Sequence, residues 1–452
     1  MLGITLWMAT WWMTEAVPIP ATALLPLFLF PLLDIRSISA TAVPYAHPMV
    51  LLYMGGFMLA VSIEKWNLHK RLAIHVVLLL GTHLRGILLG FMCATALLSM
   101  WISNTATSLM MLPIGLAVTQ QLDGNDASGK RSPTGKALML GIAYSASIGG
   151  LATLIGTPTN ITLSAMIQQF YGISIGFSQW MLFGLPISLL LLAICWYYLA
   201  YHAFSFPQAE GLQAARTEVS QQLAALGPIR SPEVRVALVF GGVSLAWILR
   251  SQLQTLLPAL DDTLIALGGV LLLFVLPAGE KNRPNVQLLD WKTAEKIPWG
   301  ILLLFGGGLA LADGFQVTGL AEAIGLQFAL LETLPYLLFL LCIVLVVNFL
   351  TEITSNVATA SVLLPILAAV SLQVGMHPYG LMVGATVAAS CAFMLPVATP
   401  PNAVVFGSGY LEIRDMLKTG FLLNLLSVLL ISLLVYFLLP IVWGIDLHHY
   451  PF

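Results

Sequence analysis

Long apolar stretches separated by short polar segments run along this chain from end to end. Several of them reach the length of about 18 residues or more at which an α-helix can cross a bilayer. Prolines and small polar clusters interrupt some of these stretches near the middle, where an ordinary transmembrane helix has neither. The pattern predicts an all-α polytopic membrane protein in which several helices are broken at membrane depth.

The composition supports this prediction. The chain has 452 residues, of which 59% are hydrophobic and 8% charged, whereas a soluble domain carries about 25% charged residues. The formal net charge of -2 argues against a nucleic-acid partner, and we expect the lipid bilayer to surround the protein. No basic region precedes the first apolar stretch, so no signal peptide is predicted. Four cysteines lie far apart in apolar segments and are expected to be core residues: Cys93, Cys195, Cys342 and Cys391.

Two polar clusters organise the chain, and each is a copy of the other. Ser103-Asn104-Thr105 lies inside one apolar run, and Ser355-Asn356-Val357 lies inside another. A proline follows each cluster at the same spacing, Pro113 in the first run and Pro365 in the second. We predict that both clusters are the tips of helical hairpins that meet at mid-membrane and hold an anion and its sodium ions.

The flanking charges predict that these hairpins enter from opposite sides. Residues 87–118 lie between basic segments, so both ends are expected to be cytoplasmic. Each leg of about 15 residues would reach about 22 Å, past the middle of the bilayer but not across it. The second run, 334–372, lies between segments without lysine or arginine, 313–333 and 373–379, and is expected to open outward. The charges are Lys65, Lys70, Arg71, Arg85, Lys130, Arg131 and Lys136 around the first, and Asp313, Glu322 and Glu332 before the second.

Further landmarks recur in the same order. Tyr53–Phe57 parallels Leu304–Gly308, and Gly156-Thr-Pro-Thr-Asn160 parallels Ala398-Thr-Pro-Pro-Asn402. Matched landmarks with opposite flanking charges indicate an inverted repeat. Many secondary transporters are built in this way, with their sites near the midplane between the repeats.

The residue types suit sodium and a carboxylate. Free carbonyls and the oxygens of Ser and Asn side chains are hard ligands, and helix N-termini favour anions. Neither tip nor either Pro-Asn break contains Lys or Arg, so co-bound cations and helix dipoles would have to balance the anion. The alternative is that these groups only form hydrogen bonds between helices, which the duplication makes the weaker interpretation.

The sequence offers little support for a metal site, an ATP-driven pump or an enzyme. The histidines have no ligand spacing, and no Walker A sequence indicates an ATP-driven pump. A membrane-embedded enzyme would need a catalytic pair at one depth, and none is found, so we predict that the protein is not an enzyme and uses no organic cofactor. Glu352, three residues before Ser355, is ionisable at membrane depth. A functional and a structural role are both open for it.

At this point the sequence resembles a known family. The Ser-Asn-Thr and Thr-Ser-Asn-Val tips, Ser147–Gly150 before Gly156–Asn160, and the run Cys391–Asn402 resemble the divalent anion/sodium symporter family over essentially the whole chain. Members near the bacterial dicarboxylate carriers look most similar. The resemblance implies sodium-coupled uptake of C4-dicarboxylates such as succinate, fumarate and malate, by an elevator motion, in a homodimer of the inner (cytoplasmic) membrane. The alternatives are a sodium-independent di/tricarboxylate exchanger and a sodium/sulfate symporter of the same fold.

The resemblance also implies site residues. One sodium site would use Ser99, Ser103, Asn104 and the backbone at Gly156. The other would use Thr351, Ser355, Asn356 and the backbone at Ala398. The substrate carboxylates would meet Asn104, Thr105, Thr157, Asn356, Val357 and Pro400. Close bacterial relatives have threonine where this chain has Val357, which leaves sulfate or a tricarboxylate open as the anion.

The resemblance finally implies a division of the chain. Residues 1–84 and 234–312 would form a scaffold, and 86–204 and 334–443 a moving transport domain, with 205–233 as a cytoplasmic linker. The chain begins at what resembles the second span of the family, so a preceding helix is expected to be missing.

Overall fold

The fold is all-α. A computed structural model describes residues 1–123, 132–206, 212–280, 285–325, 327 and 334–452, and within them the sole β-type pairing is an isolated bridge between Pro277 and Gln287. Six helical segments of this described part are long and apolar enough to cross a membrane, and shorter apolar helices accompany them. The prediction of an all-α protein with many apolar helices is confirmed.

The first half contains both legs of one hairpin and one broken helix. The hairpin consists of α7 and α8, and the broken helix of α9 and α10. In chain order the helices are α1 (Leu2–Thr14), α2 (Ile19–Thr22), α3 (Leu25–Leu32), α4 (Ile38–Ala42), α5 (Pro48–Lys65), α6 (Leu68–Leu80), α7 (Leu84–Ser99), α8 (Asn104–Asp123), α9 (Pro133–Gly150), α10 (Pro158–Tyr171), α11 (Phe177–Tyr198) and α12 (Leu212–Ala225). A 3-10 turn, Val43–Ala46, precedes α5, and one π-helical turn, Leu199–Ala203, extends α11.

The second half repeats this order. Its hairpin consists of α19 and α20, and its broken helix of α21 and α22. The helices are α13 (Ser231–Ile248), α14 (Arg250–Leu253), α15 (Asp262–Val275), α16 (Trp291–Ala294), α17 (Trp299–Val317), α18 (Leu320–Gly325), α19 (Tyr336–Leu350), α20 (Asn356–Val374), α21 (Pro378–Ala389), α22 (Pro400–Phe406) and α23 (Ile413–Trp443).

Two segments predicted as irregular are helical. The basic segment before residue 87 contains α6, in which Lys70 and Arg71 lie among mainly apolar residues. The linker expected at 205–233 contains α12, which packs against α6 and α8. Both helices are amphipathic, and their polar residues concealed the helical period. Of the charges used to orient the hairpins, Lys130, Arg131 and Glu332 fall outside the described residues.

Ion pairs join helices that are distant in the chain. Arg71 on α6 meets Glu233 on α13 at 2.6 Å, and Arg36 meets Asp313 on α17 at 2.9 Å. The Arg71 guanidinium also approaches the carbonyl of Gly227 at 3.1 Å. Since Glu233 is almost fully buried, removal of Arg71 would leave an unpaired buried charge. The contacts of Arg71 join α6 to the start of α13 and to the turn that follows α12.

Candidate functional site

The first hairpin tip places three oxygen atoms close together. α7 ends at Ser99, a short turn follows, and α8 begins at Asn104. The Ser99 hydroxyl lies 2.6 Å from Asn104 Oδ1 and 2.7 Å from the carbonyl oxygen of Ala146 on α9. Because the hydroxyl has one hydrogen for two acceptors, the group is rich in lone pairs. A hard cation such as Na⁺ suits such a group.

The second tip has the same arrangement. α19 ends at Leu350, and the Thr351 hydroxyl lies 2.7 Å from Asn356 Oδ1, at the start of α20. The same hydroxyl is 2.9 Å from the carbonyl oxygen of Ala389 on α21. Ser99 and Thr351 are both fully buried. The structure therefore repeats one hydroxyl–amide–carbonyl group in both halves.

Two further predicted ligands lie at the first tip. A methyl group added to Gly150 would lie 2.7 Å from Asn104 Oδ1 and 3.1 Å from the carbonyl oxygen of Gly156, so these two oxygens face the same small space. The hydroxyl of Ser103 accepts a hydrogen bond of 3.2 Å from the Ala106 amide and so caps α8. The structure brings Ser99, Asn104 and Gly156 together.

Asparagine side chains donate hydrogen bonds to backbone carbonyls at the breaks of the two broken helices. Asn160 Nδ2 donates to the carbonyls of Gly150 at 3.2 Å and of Thr153 at 2.8 Å. Asn402 Nδ2 donates in the same way to Leu395 at 3.0 Å, and to Ala392 at 3.1 Å. The Pro-x-Asn pattern thus has a structural function, because each amide satisfies carbonyls that a continuous helix would have paired. The sequence indicated the breaks but not this bracing.

The two repeats interlock around their breaks. The hydroxyls of Thr159 and Ser390 are 2.7 Å apart, and the Tyr144 hydroxyl donates to the Phe393 carbonyl at 2.8 Å. Helix α10 packs against α20, and α22 packs against α8. Each half therefore places the second segment of its broken helix against the hairpin of the other half.

The remaining predicted residues lie at helix starts. Thr157 precedes α10 and is buried, and its hydroxyl does not cap that helix. Pro400 lies at the start of α22 and is exposed. Thr105 and Val357 occupy matching positions in the first turns of α8 and α20. The hydrogen bonds of the described residues do not join Ser355, Ala398 or Pro400 to Asn356.

A cavity of about 620 Å³ lies beside the first hairpin. It extends along α8 from Ala106, two residues after Asn104, to Ile114. Glu64, His69 and Lys70 from the end of α5 and the start of α6 line the opposite wall, together with Gln222 of α12. The cavity therefore approaches the first tip from the side on which α6 and α12 lie.

Comparisons with known proteins agree with this architecture. The family model described as "Sodium:sulfate symporter transmembrane region" matches residues 1–445. A sodium-dependent dicarboxylate transporter, SdcS, of Staphylococcus saprophyticus is 45% identical over 452 residues, which covers 98% of this chain and 87% of the relative. SdcS of Staphylococcus aureus strain USA300 is 45% identical over 458 residues, or 99% of this chain and 87% of the relative.

Solved structures show the same fold at low sequence identity. The YdaH transporter of Alcanivorax borkumensis has a TM-score of 0.56 and 15% identity, covering 90% of this chain and 87% of that one. MtrF of Neisseria gonorrhoeae has a TM-score of 0.58 and 14% identity, covering 90% and 83%. At these identities the likeness concerns the fold alone.

Proposed function

The chain belongs to the sodium:sulfate symporter family, and from this premise we propose that it is a sodium-coupled symporter that brings C4-dicarboxylates such as succinate, fumarate and malate into the cell. The names of its relatives, sodium-dependent dicarboxylate transporters, support the substrate and the coupling ion. They also agree with the prediction that the protein is not an enzyme. The observation that carries the proposal is the duplicated hydroxyl–amide–carbonyl group at the two tips.

Each tip would bind one sodium ion. Ser99, Ser103, Asn104 and the Gly156 carbonyl would supply the first site. Thr351, Ser355, Asn356 and the Ala398 carbonyl would supply the second. The close approach of Asn104 Oδ1 and the Gly156 carbonyl to one point supports the first set, and the matching contacts of Thr351 support the second.

The dicarboxylate would lie between the tips. Helices α8, α10, α20 and α22 begin in this region, and their N-termini carry partial positive charge. Asn104, Thr105 and Thr157 would contact the anion together with Asn356, Val357 and Pro400. Neither tip carries a basic side chain, so bound sodium would have to supply the countercharge. That requirement couples the ion to the substrate.

Transport would proceed by an elevator motion in a homodimer of the inner membrane. The proposed scaffold is 1–84 and 234–312, the moving domain is 86–204 and 334–443, and 205–233 is a cytoplasmic linker. The cavity between the first hairpin and the scaffold residues Glu64 and Lys70 supports this division, because an interface that must slide would be expected to pack incompletely.

Uptake of labelled succinate into proteoliposomes tests the proposal. An inward sodium gradient should raise the amount of succinate accumulated about tenfold or more over a matched potassium gradient, since each 1.4 kcal/mol of driving force is a factor of ten in a concentration ratio. Equal uptake under both gradients would rule out coupling, and counterflow driven by internal succinate alone would favour the exchanger. Competition by sulfate and citrate, measured in the same assay, reports the anion class.

A further inference from the structure

A carboxylate joins the start of α11 to helices that the proposed division places in the scaffold. Asp262, the first residue of α15, accepts a hydrogen bond at Oδ2 from the Phe177 amide at 2.8 Å and another from Arg250 Nη1 at 2.9 Å. The backbone before Phe177 passes close to this guanidinium, since a methyl group added to Gly176 would lie 2.6 Å from Arg250 Nη2. One oxygen of Asp262 therefore holds both a scaffold arginine and a backbone amide of the proposed moving domain.

Aromatic rings extend this contact to the first hairpin tip. The Phe177 ring stacks on Trp247 of α13 with ring centroids 4.6 Å apart, and on Trp101, in the turn between α7 and α8, with centroids 5.7 Å apart. Phe240, also on α13, meets the Trp101 ring edge to face at 5.0 Å. Aromatic pairs in such arrangements are stabilising beyond the area that they bury. The turn at the first tip is therefore docked on α13, both directly and through the start of α11.

The corresponding residues of the second half are exposed. Trp101 corresponds to Ile353, which is 63% exposed, and Ile155 corresponds to Val397, which is 81% exposed. Ile155 itself is 5% exposed and packs against Gly56 of α5, another helix of the proposed scaffold. The proposed scaffold therefore covers the tip and the break of the first half, whereas the matching apolar residues of the second half stay uncovered. Such an arrangement is expected if only one half is docked at a time.

We infer that Asp262 is a positioning residue that latches the first half of the moving domain to the scaffold, and that this latch, formed by Asp262, Arg250 and Phe177, opens in every transport cycle. The inference rests on the division into scaffold and moving domain given under the proposed function. Oδ1 of Asp262 is buried and has no hydrogen-bond partner among the described residues. The carboxylate would therefore gain water if the Phe177 amide moved away, and that gain would offset part of the hydrogen bonding that is lost. A contact of this kind can hold one position and still be released.

A disulfide across the docked surface tests whether this surface opens during transport. A methyl group added to Gly56 would lie 3.5 Å from Ile155 Cβ, within the range of about 3.5–4.5 Å found between the Cβ atoms of a disulfide. With an added oxidant, the double variant Gly56→Cys, Ile155→Cys should form this bond and lose about 90% or more of its succinate uptake into proteoliposomes, and reduction should restore the uptake. Each single variant is a control and should keep its uptake with the oxidant. Normal uptake by the cross-linked protein would refute the proposed division itself, and absence of the cross-link would overturn the inference.

The initial rate of this cross-link reports how much of the protein is docked. In the double-cysteine protein, Asp262→Ala should slow cross-linking about threefold or more, because it removes both hydrogen bonds of the latch. Asp262→Asn keeps an oxygen that can accept from the Phe177 amide and should restore most of the rate. Asp415→Ala is the matched control, because it removes a 2.8 Å ion pair with Lys136 that lies inside the moving domain, and it should leave the rate unchanged. An unchanged rate in Asp262→Ala would overturn the inference.

Phe240→Leu decides the matter if Asp262→Ala does not fold. It removes the ring contact between α13 and Trp101 without exposing a buried charge, and it should slow the same cross-link about twofold. Phe437→Leu, which replaces an exposed ring of α23, is its control. No slowing in Phe240→Leu would contradict the inference. Loss of uptake on cross-linking, together with an unchanged cross-linking rate in the tested variant, would refute the latch and leave the proposed division standing.

Discussion

The two hairpin tips agree in the atoms that suit sodium and differ in the atoms that would face an anion. Each tip has a buried hydroxyl, an asparagine amide oxygen and a carbonyl from the following broken helix, all within hydrogen-bond distance of the hydroxyl. Beside them, Thr105 corresponds to Val357 and Met100 to Glu352. If the tips bind sodium as proposed, the duplicated fold would retain two similar ion sites beside an asymmetric anion pocket.

The packing explains why this asymmetry is tolerated. Helix α10 of the first repeat lies against α20, and α22 of the second lies against α8, so both halves contribute to one region. A cation site is local to one tip and needs its own oxygens. An anion between the tips would contact groups from both halves. Loss of a hydroxyl from one tip would leave the contacts with the other tip unchanged.

The largest effect is expected from removing either amide. Asn104→Ala and Asn356→Ala should each lower sodium-driven succinate uptake about 100-fold, because each loses a proposed ligand of both ion and anion, and hydrogen bonds to charged groups contribute about 1.5–3 kcal/mol apiece. Initial rates in proteoliposomes at fixed protein density measure this. Exposed Gln252→Ala is the control, and substantial uptake by either alanine variant would remove that tip from the site.

Much of this comparison was predictable from the sequence because it depends on local signals. The Ser-Asn clusters and the Pro-Asn breaks recur at matched positions, and each interrupts an apolar run where a helix must end. The structure accordingly starts α8 at Asn104 and α20 at Asn356. The resemblance to the symporter family was confirmed by the family match and the SdcS relatives.

Other features needed the structure. Helices α6 and α12 were missed because basic and polar residues on one face were interpreted as loop signals. The partners of Glu352 lie on α23 and in the second break, and no spacing in the sequence joins Asn424 to Glu352. The bracing by Asn160 and Asn402 likewise depends on how each chain break folds back on its own carbonyls.

The next largest effect is expected from removing the hydroxyls that are hydrogen-bonded to the two asparagine side chains. Ser99→Ala and Thr351→Ala should each raise the half-saturating sodium concentration for uptake about tenfold, since a proposed ligand and the partner of an asparagine oxygen are both lost. The measurement is initial uptake as a function of sodium at saturating succinate. A clear difference between the two variants would show that the tips differ in more than their flanking charge.

Buried hydroxyls elsewhere provide matched controls for these variants. Ser62 donates to the Leu59 carbonyl at 2.6 Å within α5, and Thr386 donates to the Met382 carbonyl at 2.8 Å within α21. Ser62→Ala and Thr386→Ala remove comparable groups and should leave the sodium dependence unchanged. A similar shift in the controls would attribute the effect to general loosening of the fold.

A smaller effect is expected from Thr105→Val, which makes the first tip like the second. Loss of a hydroxyl that contacts a carboxylate should raise the KM for succinate about fivefold, with less change in the sodium requirement. Thr119→Val, farther along α8 and bonded to the Gly115 carbonyl at 2.8 Å, is the control. An unchanged KM would indicate that the anion does not contact Thr105.

The smallest expected effect comes from Val357→Thr, which makes the second tip like the first. Val357 is 8% exposed, so an added hydroxyl at this position would gain little water and would need a partner in the pocket. If a C4-dicarboxylate lies between the tips, the new hydroxyl should lower the KM for succinate about threefold. The ratio of succinate to sulfate uptake should rise with it, and Val362→Thr on the same helix should change neither. A rise in sulfate uptake instead would mean that the second tip faces a smaller anion of higher charge density, and the asymmetry of the tips would then be a determinant of substrate choice.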